Sequence, residues 1–316
     1  MTPVLSVENL TVRYPISGGV DLTAVDDVDL SIEPGKILGL VGESGCGKSS
    51  LGRVIAGIQR PQHGRISIDG REMSDRRRGD DARLVQMVFQ DPASALNPAL
   101  TIGAMLRELL LVHSLVTDRK AADRRAAELL DSVGLSEELL ERRPDALSGG
   151  QRQRIGIARA LALEPRVLIA DEAVAALDSV VKKSVIALLS DIRERMGLTI
   201  VFISHDLAVV RRLCDEVAVM YLGRIVERQP TEGLFDDPKH PYTAALLRAQ
   251  PRIGERLDLA STPALIGDPP SPIELRAGCS FASRCPSVVE ICRTTAPEAA
   301  SSTDGSLVRC HFPLSR

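Results

Sequence analysis

The chain has 316 residues, 44% of them apolar, with a formal charge of −3 and a pI near 6.0. That length and composition suit one large domain or two smaller ones with a proper core, and they exclude collagen-like and disordered classes. The acidic balance argues against a nucleic-acid partner, no apolar stretch nears the roughly 20 residues that cross a bilayer, and the start Met1-Thr2-Pro3-Val4-Leu5 has no signal-peptide core. Along the chain, Leu5, Val7 and Leu10, then Val28, Leu30 and Ile32 alternating with Asp29 and Ser31, predict a sheet with one wet face over residues 4–34. Ile37-Leu38-Gly39-Leu40-Val41 predicts a buried parallel strand, and Leu51, Val54, Ile55 and Ile58 predict a helix behind it. Residues 65–70 predict a short strand ending in an Asp69-Gly70 turn. Arg76-Arg77-Arg78, beside Asp80 and Asp81, read as a solvated loop face. From about 102 to 146 the pattern is helical, with a stripe of Ala126, Leu129, Leu130 and Val133 that stops at Gly134. Residues 167–170 and 199–203 predict continuous apolar strands, and Val181, Val185, Leu188, Leu189 and Ile192 mark an amphipathic helix between them. Strands alternating with helices imply an α/β fold with a mostly parallel, covered sheet.

The string Gly42-Glu43-Ser44-Gly45-Cys46-Gly47-Lys48-Ser49 joins the predicted strand to the predicted helix. Such a junction aims backbone N–H groups and about half a unit of helix-dipole charge at one point, and glycines let the chain wrap an anion closely. Lys48 would add a full charge near the β- and γ-phosphates, and the Ser49 hydroxyl would take a position on Mg²⁺. The string therefore predicts binding of a nucleoside triphosphate. Asp171-Glu172 closes the strand at 167–170, and His205 follows the strand at 199–203, so all three fall at the carboxyl edge of the sheet where ligands sit. Asp171 would reach the Mg²⁺ shell and Glu172 would polarise a water facing the γ-phosphate. Leu147-Ser148-Gly149-Gly150-Gln151 precedes another helical run and offers a second anion-binding helix start. A monomer cannot easily hold one nucleotide at both. Cys46, a thiol at a helix start, could have a lowered pKa, although a small residue filling space is the plainer reading.

With these strings in company, the chain resembles the ATP-binding cassette ATPases over nearly its whole length. Residues 147–151 match that family's signature, Gln90 its Mg²⁺-sensing loop glutamine, Ala176-Leu177-Asp178 its dimer-crossing loop and Ser204-His205-Asp206 its switch histidine. The resemblance implies a phosphate-loop NTPase fold: a RecA-like core, an antiparallel β subdomain and a helical subdomain over about 91–160. The nucleotide-binding domain would span 1–239, and a Cys-rich extension 240–316. It also implies Tyr14 against adenine, residues Ser44, Gly45, Cys46, Gly47, Lys48, Ser49 and Ser50 on the phosphates, and Mg²⁺ near Ser49, Gln90 and Asp171. Glu172, His205 and Lys48 would be catalytic. Ser148, Gly149, Gly150 and Gln151 would come in trans from a second, identical or homologous ATPase, which resolves the two helix starts. Where the family usually has Glu-Pro-Thr or Glu-Pro-Val, this chain has Glu172-Ala173-Val174, and Ala175 replaces the usual Ser before Ala-Leu-Asp.

Three segments resemble the dipeptide, oligopeptide and nickel importer ATPases in particular: residues 90–98, residues 240–247 (His-Pro-Tyr-Thr-Ala-Ala-Leu-Leu) and the cysteine-bearing tail. The likeness implies an ATPase subunit at the cytoplasmic face of the membrane that drives uptake of di- or oligopeptides. Two transmembrane permease subunits would be its direct partners, and an extracytoplasmic substrate-binding protein an indirect one. Nickel, glutathione or another small solute is the alternative cargo. A soluble cassette acting on DNA or the ribosome is the rival class, but no heptad run or basic stripe supports it. A composition break at Pro269-Pro270-Ser271-Pro272 precedes Cys279, Cys285, Cys292 and Cys310, spaced C-x5-C-x6-C-x17-C. Residues from about 240 onward show little core pattern, so a stapling metal is expected. Tight zinc knuckles are missing, and the looser spacing suits a [4Fe–4S] cluster, which some members of the subgroup carry; zinc and free thiols are the alternatives.

Overall fold

The computed structural model describes residues 2–16, 19–75, 77–91, 95–249, 270, 277–302 and 305–315. The expected segments at Arg76, at residues 92–94 of the importer-like stretch, and at Pro269, Ser271 and Pro272 lie outside them. Strands β1 (Leu5–Ile16) and β2 (Val20–Ile32) pair antiparallel, with Leu5 opposite Ile32 and Val7 opposite Leu30. The alternation read from the sequence is realised: Val28, Leu30 and Ile32 are buried while Asp29 and Ser31 face out. The buried strand β3 (Ile37–Val41) leads into helix α1 (Lys48–Ile55). Strands β4 (His63–Ile68) and β5 (Arg71–Glu72) return to β1, giving a four-stranded sheet in the order β2-β1-β4-β5. Its inner face and α1 share one core, built on Val7, Leu10, Leu30, Leu51 and Ile68 among others.

Arg77 departs from its expected solvated role. Its Nη1 donates to the Ile55 carbonyl at 2.6 Å, satisfying an orphan acceptor at the end of α1, and burial lowers its pKa to about 10. Helix α2 (Asp80–Arg83) and strand β6 (Val85–Val88) follow. The helical region then divides into α3 (Ile102–Val112), capped by Thr101, and α4 (Arg119–Ser132), capped by Asp118, with 3₁₀ turns at 137–141 and 144–146. Gly134 takes φ of +69°, a left-handed stop immediately after the stripe ends at Val133, as the pattern predicts. Leu96, Ile102, Met105, Leu106, Leu130 and Ile155 are among the residues that give this region a core of its own. Helix α5 (Gly149–Leu161) runs out of that core at Ile155 and into the main one at Ile157 and Ala158, so it couples the two bodies.

Strand β7 (Val167–Asp171), helix α6 (Ser179–Met196), strand β8 (Thr199–Ile203), helix α7 (Leu207–Leu213) and strand β9 (Glu216–Tyr221) complete the α/β alternation. Strands β3, β6, β7, β8 and β9 are parallel neighbours, and every residue of β3, β7 and β8 is buried, as expected for a sheet covered on both faces. Beyond β10 (Arg224–Pro230) and α8 (Thr231–Asp236) come α9 (Pro241–Arg248), α10 (Glu290–Thr294), β11 (Ala300–Ser301) and β12 (Leu307–Val308). The larger sheet has the order β11-β12-β10-β9-β3-β8-β7-β6.

The C-terminal segment is therefore not coreless. Its strand β12 pairs with β10, and Tyr242 and Phe281 are fully buried against Tyr221 at ring separations of 4.6 and 5.3 Å. The buried Glu227 carboxylate joins the segment to the sheet by accepting the backbone N–H groups of Lys239 and His240 at 2.6 and 2.9 Å. Aromatic burial and a satisfied carboxylate do here what a metal staple was expected to do.

Candidate nucleotide site

Residues 42–47 fold into a crown because two of their glycines admit no other residue. At Gly42, φ is +149° and a Cβ would stand 2.1 Å from the Met220 carbonyl oxygen. At Gly47, φ is +110° and a Cβ would stand 1.9 Å from the Ala24 carbonyl oxygen. The buried Lys48 ammonium donates to the carbonyls of Gly42 at 2.9 Å and Glu43 at 2.8 Å, so it spans the crown. Cys46 is buried and its thiol pKa is raised by desolvation, with Lys48 opposing; it is a space-filling thiol rather than a thiolate. Ser44 and Gly45 lie at the exposed tip, and a Cβ on Gly45 meets nothing within 4 Å. The Tyr14 hydroxyl lies 3.0 Å from Ser50 Oγ and donates to Gln59 at 2.6 Å, which moors its ring beside the start of α1.

The carboxyl ends of β7 and β8 deliver the acidic and imidazole groups to the same edge. Ser49 Oγ donates to Asp171 Oδ1 at 2.9 Å, and burial raises the Asp171 pKa. Glu172 turns away from the strand with φ of +47°, a conformation held by its N–H bond to the Ile203 carbonyl at 3.0 Å. Its two carboxylate oxygens are each engaged: Oε2 accepts from Gln90 Nε2 at 3.2 Å, and Oε1 lies 3.3 Å from His205 Nδ1. The His205 side chain is 62% exposed and Glu172 only 19%, so the imidazole is the solvent-facing partner of a sheltered carboxylate. The turn after Glu172 forms without the family's proline, closed by the Ala175 N–H on the Glu172 carbonyl at 3.0 Å, with Ala173 and Val174 buried beneath it.

The structure thus gathers Lys48, Ser49, Asp171, Glu172, His205 and Gln90 at one sheet edge. The residues 148–151 are organised separately, as a capping box in which Ser148 Oγ accepts the Gln151 N–H at 3.2 Å and Gln151 Oε1 accepts the Ser148 N–H at 2.9 Å. Gly150 is required within the chain, since a Cβ would meet Val181 at 2.6 Å, but a Cβ on Gly149 meets nothing within 4 Å.

Sequence reasoning missed Glu43 as a structural centre, together with its partners Tyr242 and Arg284. Nothing in their spacing signals the contact. Cys279, Cys285, Cys292 and Cys310 do line one small pocket of about 20 Å³, and burial raises the thiol pKa of Cys279 and Cys285 and pushes that of Cys310 to about 11. Yet among the described residues no three His, Cys, Asp or Glu side chains are arranged to hold a metal ion, so the expected [4Fe–4S] or zinc site is not shown.

A phosphate loop on a parallel sheet, an acidic strand end and a separate helical body carrying the Ser148 cap define an ATP-hydrolysing cassette. Residues 25–175 match the ABC transporter family, and residues 226–292 match the oligopeptide/dipeptide transporter C-terminal region. A dipeptide transport ATP-binding protein, DppF, of Haemophilus influenzae is 42% identical over 317 residues, covering 98% of this chain and 96% of the relative. An oligopeptide transport ATP-binding protein, AppF, of Bacillus subtilis is 40% identical over 320 residues, covering 98% and 97%. The dimeric, post-hydrolysis structure of an ATP-binding cassette bound to ADP and Pi superposes with a TM-score of 0.65 at 29% identity, covering 72% of this chain and 98% of that one. The chain belongs to the ABC transporter ATPases, in the group that carries the oligopeptide/dipeptide C-terminal region. No helix among the described residues is long and apolar enough to cross a membrane.

Proposed function

We propose that the chain is the ATPase subunit of a peptide importer, working at the cytoplasmic face of the membrane as one of a pair of cassettes. The observation that carries the enzymatic part is the convergence of Lys48, the Ser49–Asp171 pair and the Gln90–Glu172–His205 cluster on one edge. Lys48 neutralises phosphate charge, and the Ser49 and Asp171 oxygens are the hard donors that suit Mg²⁺, which when bound adds positive charge beside the phosphates. Glu172 orients and deprotonates the attacking water, and His205 senses the γ-phosphate from its exposed position. Tyr14 supplies an aromatic edge for the base.

The second cassette supplies Ser148, Gly149, Gly150 and Gln151. The open space at Gly149 supports this, because neither backbone strain nor packing within the chain explains a glycine there. The domains divide at about residue 239, with the helical body relaying motion to two permease subunits. A groove of about 320 Å³ between that body and the sheet edge, lined by Phe89, Leu109, His113 and Arg159, suits a short amphipathic segment of a permease. Peptide as cargo rests on the named relatives and the matched C-terminal region. Deleting the gene and measuring uptake of a labelled dipeptide tests it; uptake that persists while nickel or glutathione uptake falls would redirect the cargo assignment.

A [4Fe–4S] cluster on Cys279, Cys285, Cys292 and Cys310 is supported only by the pocket they share. Iron and acid-labile sulfide near about four per chain after anaerobic purification would support it. Their absence, with the chain folded, leaves four thiols.

A further inference from the structure

The C-terminal segment reaches the phosphate loop itself, and its hydrogen bonds there converge on Glu43. Glu43 is held at all three of its polar groups. Its backbone N–H donates to the Tyr242 hydroxyl at 2.9 Å. Its carboxylate takes a two-pronged grip from Arg284, at 2.7 Å to Nη1 and 2.9 Å to Nη2. Its carbonyl accepts the Lys48 ammonium at 2.8 Å. Arg284 is a sheltered cation, its side chain only 4% exposed, and Nη1 also reaches the Tyr221 hydroxyl at 3.3 Å. The turn that carries it is fixed by the Arg284 N–H on the carbonyl of the buried Phe281 at 3.0 Å.

We propose that Arg284 and Tyr242 are positioning residues for ATP binding: they lock Glu43, and through its carbonyl they set the placement of Lys48 on the phosphates. This rests on the nucleotide reading above. A bidentate guanidinium fixes the plane of a carboxylate as well as its place, which an ammonium cannot do. With the lock removed, the loop samples other arrangements, and the apparent dissociation constant rises by the inverse of the fraction that stays competent. A competent fraction near one tenth gives a tenfold weaker site.

The test is calorimetric titration of the full chain with Mg²⁺ and a non-hydrolysable ATP analogue, since the chain has no tryptophan to report binding. Arg284→Gln and Glu43→Gln should each weaken binding about tenfold, and the double variant no further, because both remove one interaction. Arg284→Lys should fail to restore it. If Arg284 merely fastens the C-terminal segment, Arg284→Gln lowers the melting temperature of the nucleotide-free chain and leaves the affinity at the wild-type value, which overturns the proposal. Losses that multiply to about a hundredfold in the double variant overturn it as well. Should Arg284→Gln not fold, Tyr242→Phe decides, since it keeps the buried ring: about threefold weaker binding supports the lock, and unchanged binding refutes it. A wild-type chain that does not bind the analogue refutes the nucleotide reading itself, a result distinct from all of these.

Discussion

Glu172→Gln isolates the chemical step because the structure lets the amide keep every contact of the carboxylate. Gln90 Nε2 lies 3.2 Å from one oxygen and can donate to the amide oxygen; His205 Nδ1 lies 3.3 Å from the other and, in its neutral form, can accept from the amide nitrogen. Backbone strain does not change either, since Gln bears φ of +47° no better and no worse than Glu. What disappears is the negative charge and the basicity. A positioned general base contributes about 10²–10⁴-fold, so turnover should fall by that factor, equivalent to about 3–5 kcal/mol of transition-state stabilisation. Affinity for Mg²⁺–ATP should be retained. Phosphate release under saturating ATP reads the first quantity, and calorimetric titration the second. Turnover of the variant above about one tenth of wild type would remove Glu172 from the role of base. Loss of binding in a folded variant would show instead that the carboxylate holds the site together.

Gly149→Ala should leave the nucleotide-free chain as stable as wild type or slightly more stable, since a helix start gains less than the about 0.5–1 kcal/mol of a helix middle on losing a glycine, while ATPase activity falls at least tenfold. Thermal unfolding and phosphate release on the same preparation check both halves, and full turnover would contradict a site completed by a second cassette. His240 is buried and neutral, with its pKa lowered by burial from 6.5 to about 4. The unfolded chain therefore binds a proton that the folded chain refuses between those values. The contribution is fully present above pH 6.5 and is lost as pH falls, reaching about 3 kcal/mol near pH 4. His240→Asn retains a side-chain acceptor for the Tyr242 N–H, so the wild type should lose stability relative to the variant below pH 6.5, with a slope of about one proton in the urea-derived free energies. Parallel pH profiles would mean that His240 is solvated.

The elements that were legible in the sequence are those whose signal is local. Residues 199–203 form an apolar run bounded by turn chemistry, and the strand observed is Thr199–Ile203. Residues 147–151 read as a helix start, and helix α5 begins there at Gly149. Arg77 misled because charge runs usually face water; its partner is a carbonyl left free by the end of α1, a need that only the folded helix creates. The tail misled for a related reason. Periodicity reports faces of regular elements, whereas Tyr221, Tyr242 and Phe281 meet from three separate segments and build a core without any period. The Glu43–Arg284 pair is the limiting case, since 241 positions separate its members and neither breaks a local pattern. Its consequence follows from burial. A cation as sheltered as Arg284 cannot lose its carboxylate without cost, because little water can take the place of the lost partner. The phosphate loop and the C-terminal segment are thereby tied into one energetic unit, so a change that displaces the segment must also be felt at Lys48.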